Sequence, residues 1–392
     1  MKETTCSTAQ TLANEQREFL TQMLQTSLPG ARVEFHADAI NVQHAGQQDD
    51  AAIVGMVKRL VYIARSLNKD LLFHNAATPQ FERDPQPYLE STREVIQVHP
   101  GFFTLQGGFL EVFKAINGRV RAMADEVDAI EQEYPAVWPV RLFKQIDYFH
   151  EFPHQVILCA PVKDDFDTRK RFADTYGKDA EFETVAMDQM MAPAEYGLEP
   201  AVCDCCYYGL ENTSELQNAY YTCYNKVFRN ERSGFGGLDR LTCFSVRDIM
   251  FVGDEQFVLE ARQVLIERLS TFLTSLQLDA KIETANDPFF SNDAVMKSVF
   301  QNAHRLKYEL LARIPHLDRD IAVGSINFHR DFFGKAFNIE TLTGATAFSG
   351  CIGVGMERLT YALYCQHGER LSQWPQPVLD YLGLGRRVDQ GR

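Results

Sequence analysis

A chain of 392 residues with 45% hydrophobic and 23% charged side chains has the composition of a folded globular protein, long enough for one large domain or a catalytic domain with a smaller companion. Its 39 basic against 53 acidic side chains, a net charge of −14, argue against the extended basic face that coats a large nucleic acid, though not against a local basic patch. A polar start without an apolar signal core, no apolar run of about 18 residues, and nine cysteines without a disulfide framework give the expectation of a reduced, cytoplasmic protein whose thiols are available for metal chemistry, not a membrane or secreted one.

Residues 1 to about 105 read as a separate α+β unit. Arg32 to His36 alternates as a strand does, and Asp70 to His74 is a second short apolar run. Between them Ile53, Met56, Val57, Leu60, Val61, Ala64 and Leu67 recur at helical spacing. The three prolines of Thr78 to Pro87 mark a loop. Next, Phe109, Phe113, Ile116, Val120, Met123, Val127 and Ile130 step by four and three, the stripe of a long amphipathic helix that Tyr134 to Pro139 ends. Further on, the pattern predicts strands at Gln155 to Ala160, Cys223 to Arg229, Thr242 to Val252, Ala322 to Phe328 and Ala347 to Val354, with helices at Glu255 to Leu276 and Asp293 to Arg313. Strands this numerous, without a helix between each pair, favour an antiparallel sheet flanked by helices over residues 106–392.

Two blocks carry chemistry. In the first, Arg229-Asn230-Glu231 closes one strand and Phe244-Ser245-Val246-Arg247-Asp248 opens the next, across a loop containing Ser233-Gly234-Phe235-Gly236-Gly237. Alternation puts Arg229 and Glu231 on one face, and Phe244, Val246 and Asp248 on one face, with Phe244 and Asp248 about 13 Å apart. That spacing suits a nucleobase at one end and an amino acid at the other; an ordinary hairpin with a surface Arg–Glu pair is the alternative. In the second block, Ser325 to Lys335 is followed by Gly350-Cys351-Ile352-Gly353-Val354-Gly355, a glycine-rich strand running into a helix that opens with Glu357-Arg358. The cysteine among those glycines is unusual and is a candidate metal ligand.

These segments resemble class II aminoacyl-tRNA synthetases. Arg229-x-Glu231 with Phe244 is similar to their second motif, Gly350 to Arg358 to the third, and Tyr134 to Pro139 with Phe152-Pro153 to the first, dimer-forming motif. More narrowly, residues 135–368 resemble the amino acid:[carrier protein] ligases, truncated homologues of atypical, archaeal-type seryl-tRNA synthetases. That resemblance is carried by Ala285 to Phe290, Leu306 to Leu310, Asn327 to Gly334 and Gln366-His367-Gly368.

The resemblance implies a zinc ion held by Cys203, Asp248 and Cys351, with an open position for the substrate's amino group. Asp248 stands where the family has glutamate, one methylene longer. Cys203 to Cys206 also spells the C-x2-C of a structural zinc, but no second such pair exists. By the same resemblance Arg229 meets the α-phosphate of ATP, Arg358 the phosphate tail, Glu231 the adenine amino group and Phe244 the adenine ring, with Mg²⁺ shared between phosphates. Asn327 corresponds to a pocket residue near the amino acid and adenylate. Lys307 and Glu309 read either as substrate contacts or as a solvated pair, and His329 as a structural histidine. Cys205 and Cys206 read as buried or spare thiols, and Cys159, Cys223, Cys243 and Cys365 as core.

A short second-motif loop and the lack of a coiled-coil arm favour the phosphopantetheine thiol of a carrier protein over tRNA as acceptor. The family's docking helix corresponds to about Asp293 to Lys307, offering Lys297, His304, Arg305 and Lys307 to an acidic carrier; Arg169-Lys170-Arg171 is a second basic stretch, and a merely solvated basic face the alternative. The expectation is therefore a homodimer that activates a small amino acid such as glycine, alanine or serine with ATP and Mg²⁺ and loads it onto a carrier. A seryl-type tRNA ligase, or a catalytically silent synthetase paralogue acting as a binding module, are the competing readings.

Overall fold

The structure, a computed structural model, describes every residue except 1, 8–11, 13, 38, 47, 67–68, 178–186, 231–236, 291–293 and 386–392. At the N-terminus β1 (Lys2–Ser7), β2 (Arg32–Phe35) and β3 (Ala39–His44) form an antiparallel sheet in the order β1-β3-β2. Helices Asn14–Ser27 and Asp50–Ser66 pack on it. The expected stripe of Ile53, Val57, Leu60, Val61 and Ala64 is buried with Leu20, Leu24, Ile40 and Val42; Leu67 lies outside the described residues. A buried polar clasp joins β1, β3 and the second helix. Gly46 donates its N–H to His44 Nδ1 at 3.1 Å, so His44 Nε2 carries the hydrogen and faces Thr4 Oγ1 at 3.0 Å, while Thr4 donates to Asp50 Oδ1 at 2.7 Å.

The run near Asp70 to His74 is a strand, β4 (Leu71–Asn75), but it does not belong to the N-terminal sheet. It pairs antiparallel with Ala280–Thr284 at the edge of the large sheet, and Phe73 packs on the large core. The hairpin β5 (Val95–His99) and β6 (Phe102–Leu105) leads into helix Gly107–Asp125, which buries Phe109, Phe113, Ile116, Val120 and Met123 as expected. The helix stops earlier than its stripe, because Asp128 turns left-handed (φ 53°) and Ile130 enters the short strand β7 (Ile130–Glu131). The expected strand Gln155 to Ala160 shrinks to β9 (Leu158–Cys159), in a small sheet of order β8-β10-β9 with β8 (Val137–Pro139) and β10 (Tyr196–Leu198). Gln155 is taken out of it, its carbonyl accepting from Asn230 N at 3.1 Å and its side chain from Tyr148 at 2.9 Å.

The large sheet has eight strands in the order β4-β13-β14-β15-β16-β12-β11-β7. It adds β11 (Ala219–Phe228), β12 (Cys243–Gly253), β13 (Ala280–Thr284), β14 (Lys307–Ile314), β15 (Arg319–Arg330) and β16 (Phe348–Gly355). All neighbours are antiparallel except β7 and β11, as the sequence leads one to expect. Helices Gly107–Asp125, Glu255–Ser275 and Met356–His367 cover one face, where Ile249, Phe251, Ile282, Leu310, Ile326 and Ile352 form the main core with Phe109, Leu265 and Leu359. The expected long helix Asp293 to Arg313 is two elements. Helix Ala294–Ala303 ends, Arg305 turns left-handed (φ 52°), and Lys307–Ile314 alternates half-buried and buried as strand β14; Asp293 itself lies outside the described residues. No described helix is long and apolar enough to cross a membrane.

Close packing sets the identity of one residue in β16. A Cβ at Gly350 would lie 2.3 Å from the Phe251 ring and 2.7 Å from the Asn327 carbonyl oxygen. Gly350→Ala is expected to cost about 2–3 kcal/mol, read as a lower urea midpoint at unchanged slope.

Candidate active site and metal centre

The open face of the large sheet is assembled by strand register. Across the ladder Lys307 pairs with Asn327, Asn327 with Cys351 and Cys351 with Met250; Glu309 pairs with Ser325, Ser325 with Gly353 and Gly353 with Asp248. Residues directly opposite one another share a face, and alternation adds Val246 and Phe244 along β12. Lys307, Glu309, Asn327, Cys351, Asp248 and Phe244 therefore line one surface, while Ile326, Ile352 and Ile249 between them go to the helical core. Helix Cys203–Gly209 packs on this surface. Its Tyr207 donates to the Gly350 carbonyl at 3.0 Å and stacks on Phe333 at 4.3 Å, and Cys203, Asp204, Cys205 and Cys206 are all buried.

Three ligand atoms converge here. The sulfurs of Cys203 and Cys351 and a ring nitrogen of His329 all lie within 4.8 Å of one another. His329 Nε2 is 3.7 Å from Cys351 Sγ and its Nδ1 is 3.2 Å from Ser349 Oγ, while Asn327 Nδ2 donates to Cys351 Sγ at 3.5 Å. The hydrogen bond from Cys203 holds the Cys351 thiol well below its ordinary pKa against the effect of burial, with His329 and Asn327 helping; the same contact, with burial, pushes Cys203 up. One sulfur of the pair is thus disposed to be a thiolate. Two thiols and an imidazole, buried and convergent, form a donor set that suits zinc.

Of the expected metal trio, Cys203 and Cys351 come together, but the third atom at that distance comes from His329 and not from Asp248. Asp248 is 4% exposed, and its carboxylate receives no hydrogen bond among the described residues. Burial first, then Cys351, Glu199 and Asp204, push its pKa well up, with Arg229 opposing. Its Oδ1 lies 2.5 Å from where a Cβ on Gly353 would stand, so glycine makes the room. Two more buried acids lie close enough to Asp248 to act on its charge. Asp204 is pushed up to about 7 by burial, opposed by His329. Glu199, fully buried, is pushed up to about 8 by burial and by Asp204, and accepts from Asn225 Nδ2 at 2.7 Å.

At the other end Arg229 donates from Nε to the Pro200 carbonyl at 3.0 Å, and its guanidinium carbon lies 5.5 Å from the centre of the Phe244 ring. Arg358 Nη1 donates to the Ala322 carbonyl at 3.3 Å. Its neighbour Glu357, buried, accepts from Ser245 N at 2.7 Å, Ser245 Oγ at 2.9 Å and Lys226 Nζ at 3.1 Å. That carboxylate ties the strand of Phe244 to the helix of Arg358, a link the sequence reading missed. Glu231 and the loop residues Ser233 to Gly236 lie outside the described residues.

Lys307 is no solvated residue. With its side chain 11% exposed, Nζ donates to Asp287 Oδ1 at 2.6 Å and contacts Glu309 Oε1 at 3.2 Å, and Asp287 in turn accepts from Gln301 at 2.7 Å. Four of the other basic candidates are also engaged: Lys297 with Glu151, Arg305 with Asp70 at 2.7 Å, Arg169 with Asp164, and Lys170 with Asp174 at 2.7 Å. A second group of ligand atoms, on Asp147, His150 and Glu151, receives that Lys297 ammonium. All nine cysteines are free; Cys205, Cys206, Cys223 and Cys365 are buried, with burial pushing their thiols up, and Cys159 and Cys243 are half-buried.

No family model matches the chain. Among curated proteins, amino acid–[acyl-carrier-protein] ligase 1 of Bradyrhizobium diazoefficiens is 34% identical over 203 residues, 51% of this chain and 62% of that protein. Ligase 2 of the same organism is 34% identical over 205 residues, 52% and 60% of the two chains. The type-2 serine–tRNA ligase of Methanopyrus kandleri is 26% identical over 261 residues, 63% of this chain and 50% of that one. The matches thus span from about half to little more than three-fifths of these relatives' length. Among solved structures, M. kandleri SerRS in complex with A. aeolicus tRNASec has a TM-score of 0.70 at 18% identity, covering 97% of this chain and 77% of that one. Cytoplasmic serine-tRNA ligase from Naegleria fowleri in complex with AMP has a TM-score of 0.59 at 11% identity, covering 86% and 80%. The chain is therefore a homologue of the amino acid–[acyl-carrier-protein] ligases and of the type-2 serine–tRNA ligases, and its fold is the α+β catalytic fold of class II synthetases with a small N-terminal sheet.

Proposed function

We propose that this homologue of amino acid–[acyl-carrier-protein] ligases activates a small amino acid with ATP and transfers it to the phosphopantetheine thiol of a carrier protein, acting as a homodimer with residues 2–66 as an appended unit. The observation that carries the reading is the convergence of Arg229, Phe244, Asp248, Asn327 and Cys351 on one sheet face, in a chain with that homology. In the first step a carboxylate oxygen of the amino acid attacks the α-phosphorus and the bond to pyrophosphate breaks. Arg229 meets the α-phosphate, Arg358 the tail and Phe244 the adenine, with Glu231 at its amino group; Mg²⁺ accompanies the nucleotide. In the second step the carrier's sulfur attacks the carbonyl carbon and AMP leaves. Holding both reactants on one rigid floor supplies much of the rate, since neither step has an evident protein base. Cys203, Cys351 and His329 would hold zinc, which when bound supplies a coordination position for the substrate's amino group. Asn327 orients the substrate beside Cys351, and Lys307 and Glu309 close the floor at β14.

The test is amino-acid-dependent ATP–pyrophosphate exchange, followed by transfer of labelled amino acid to a phosphopantetheinylated carrier or to tRNA. Exchange with glycine, alanine or serine, and a thioester on the carrier with none on tRNA, is the expected result. The 26% identity over 261 residues to a type-2 serine–tRNA ligase favours a second reading, and serine charged onto tRNA would replace the first by it. No exchange with any amino acid would leave a silent paralogue.

A further inference from the structure

We propose that residues 84–101, which hold none of the side chains assigned to substrate, form a bracket that sets the spacing of the nucleotide-side groups Arg229, Phe244 and Arg358, with Gln86 and Asp84 as its positioning residues. The inference rests on the reading of this face as an ATP site and deepens it.

The bracket grips the segment that leads into β12 at two points. Gln86, in the short helix Gln86–Ser91, accepts from Leu238 N at 3.1 Å with Oε1 and donates from Nε2 to Glu90 Oε1 at 2.7 Å. A backbone N–H needs an acceptor and a carboxylate needs a donor, so the amide can face only one way. Leu238 is 0% exposed, and water cannot replace Gln86 at its N–H. The two backbones approach so closely that a Cβ at Gly237 would lie 2.3 Å from Gln86 Oε1. At the second point Gly101, in the turn of the β5–β6 hairpin (φ 79°), accepts with one carbonyl from Thr242 N at 3.0 Å and Cys243 N at 3.4 Å. The Thr242 carbonyl in turn accepts from Arg229 N at 2.9 Å, and Phe244 follows directly.

The third grip is on the helix of Arg358. Asp84 Oδ1 accepts from Gln86 N at 3.0 Å and from Tyr361 Oη at 3.1 Å, and Tyr361 lies three residues after Arg358 in helix Met356–His367. Asp84 and Gln86 therefore join that helix to the segment feeding the strand of Phe244, a second connection independent of Glu357. A nucleotide that reaches from Phe244 to Arg358 gains from both ends only while their separation is fixed, and a misplacement of about 1 Å can cost about 100-fold in rate. Supporting side chains of this kind hold a site's contact residues at a working distance without touching the ligand.

The experiment measures ATP binding by equilibrium dialysis, the KM values for ATP and amino acid in pyrophosphate exchange, and amide hydrogen exchange over residues 237–243. Gln86→Leu and Gly237→Ala, which break the same contact from opposite sides, are expected to raise the ATP Kd and KM about tenfold and to speed amide exchange over that segment. The amino acid KM should stay at the wild-type value, a split that general loss of stability would not produce. Gln86→Glu sets a second carboxylate against Glu90 and should behave like Gln86→Leu. Adding Glu90→Gln to it restores both an acceptor for Leu238 and a donor beside it, and should return the ATP KM towards wild type. Tyr361→Phe removes one hydroxyl and should raise the ATP KM about threefold, which keeps the test open if urea melts show a variant at 86 or 237 to be unfolded. Folded variants that bind ATP as wild type does, an equal rise in both KM values, or a double variant without rescue each overturn the bracket alone. Wild type that neither binds ATP nor exchanges pyrophosphate overturns the functional reading and the bracket with it.

Discussion

Replacing Arg229 by alanine is expected to lower pyrophosphate exchange by about 100- to 1000-fold, the loss that follows removal of one fixed donor from a site where transition-state charge develops. The size of the effect follows from how the side chain is held. Nε is committed to the Pro200 carbonyl and the guanidinium carbon lies over the Phe244 ring at 5.5 Å, so the η nitrogens, which make no hydrogen bond among the described residues, are restricted in where they can point. A donor fixed in advance needs no reorganisation as the phosphorus acquires its fifth oxygen. Arg229→Lys should recover little of the loss, because an ammonium lacks the planar set of donors that lets one side chain hold the Pro200 carbonyl and a phosphate together. The amino acid KM should change less than kcat. An equal loss in both, or a lysine variant as active as wild type, would mean that Arg229 supplies only diffuse charge.

Lys307→Met is expected to destabilise the fold by about 1–2 kcal/mol, less than the loss of one partner from a fully buried pair because Asp287 and Glu309 keep 30% and 27% of their side-chain surface exposed. Lys307 Nζ serves Asp287 and Glu309 together, and Asp287 is also held by Gln301 of helix Ala294–Ala303, so the loss spreads from the sheet floor to that helix. The pH dependence follows. Burial pushes the Asp287 carboxyl up, but Lys307 and Gln301 outweigh it and hold the group below its usual value. The stability this contributes is complete above the unfolded aspartate pKa of about 3.9 and lost as pH falls through the lower folded value. Lys307 moves the other way: burial opposes its charge, yet Asp287 and Glu309 raise its pKa above the ordinary lysine value. Its contribution is complete below about pH 10 and lost as pH rises through the folded value. The urea-measured difference between wild type and Lys307→Met should therefore be flat from about pH 5 to 9 and narrow towards both extremes. A difference that keeps growing into acid would show that packing of the lysine stem, and not its charge, is what the variant removes.

Much of this site is legible in sequence because strand alternation survives in a glycine-rich strand. Once Phe244 to Asp248 and Gly350 to Gly355 are read as strands, the facing of Phe244, Asp248 and Cys351 follows from period two alone. Lys307 was harder. Leu306 to Leu310 continues the apolar content of the preceding helix, and the break is made by Arg305 in a left-handed conformation that glycine usually signals. His329 follows Asn327 by two, so alternation already puts it on the site face; what the sequence lacks is the distance to two sulfurs from other segments. The partners of Asp287, Gln301 and Glu357 are not legible in sequence because they lie 20, 14 and 112 residues away in the chain. The pairing of β4, which lies inside the unit expected over residues 1–105, is hidden for the same reason, since its partner strand comes more than two hundred residues on.

That last pairing bears on what the edge of the large sheet presents. The outer side of Ala280–Thr284 is one flank of the large sheet, and β4 is what covers it, with a register shift at Ile282 and Glu283. Beside it, Lys69 reaches across to Glu283 at 2.7 Å and Arg305 to Asp70 at 2.7 Å, so charged side chains flank the outermost strand. Irregular, charged borders of this kind discourage a second sheet from adding on. The segment between the small N-terminal sheet and the β5–β6 hairpin thus supplies a guard strand, and a chain trimmed back to residue 106 is expected to leave the outer side of β13 uncovered and to become prone to self-association.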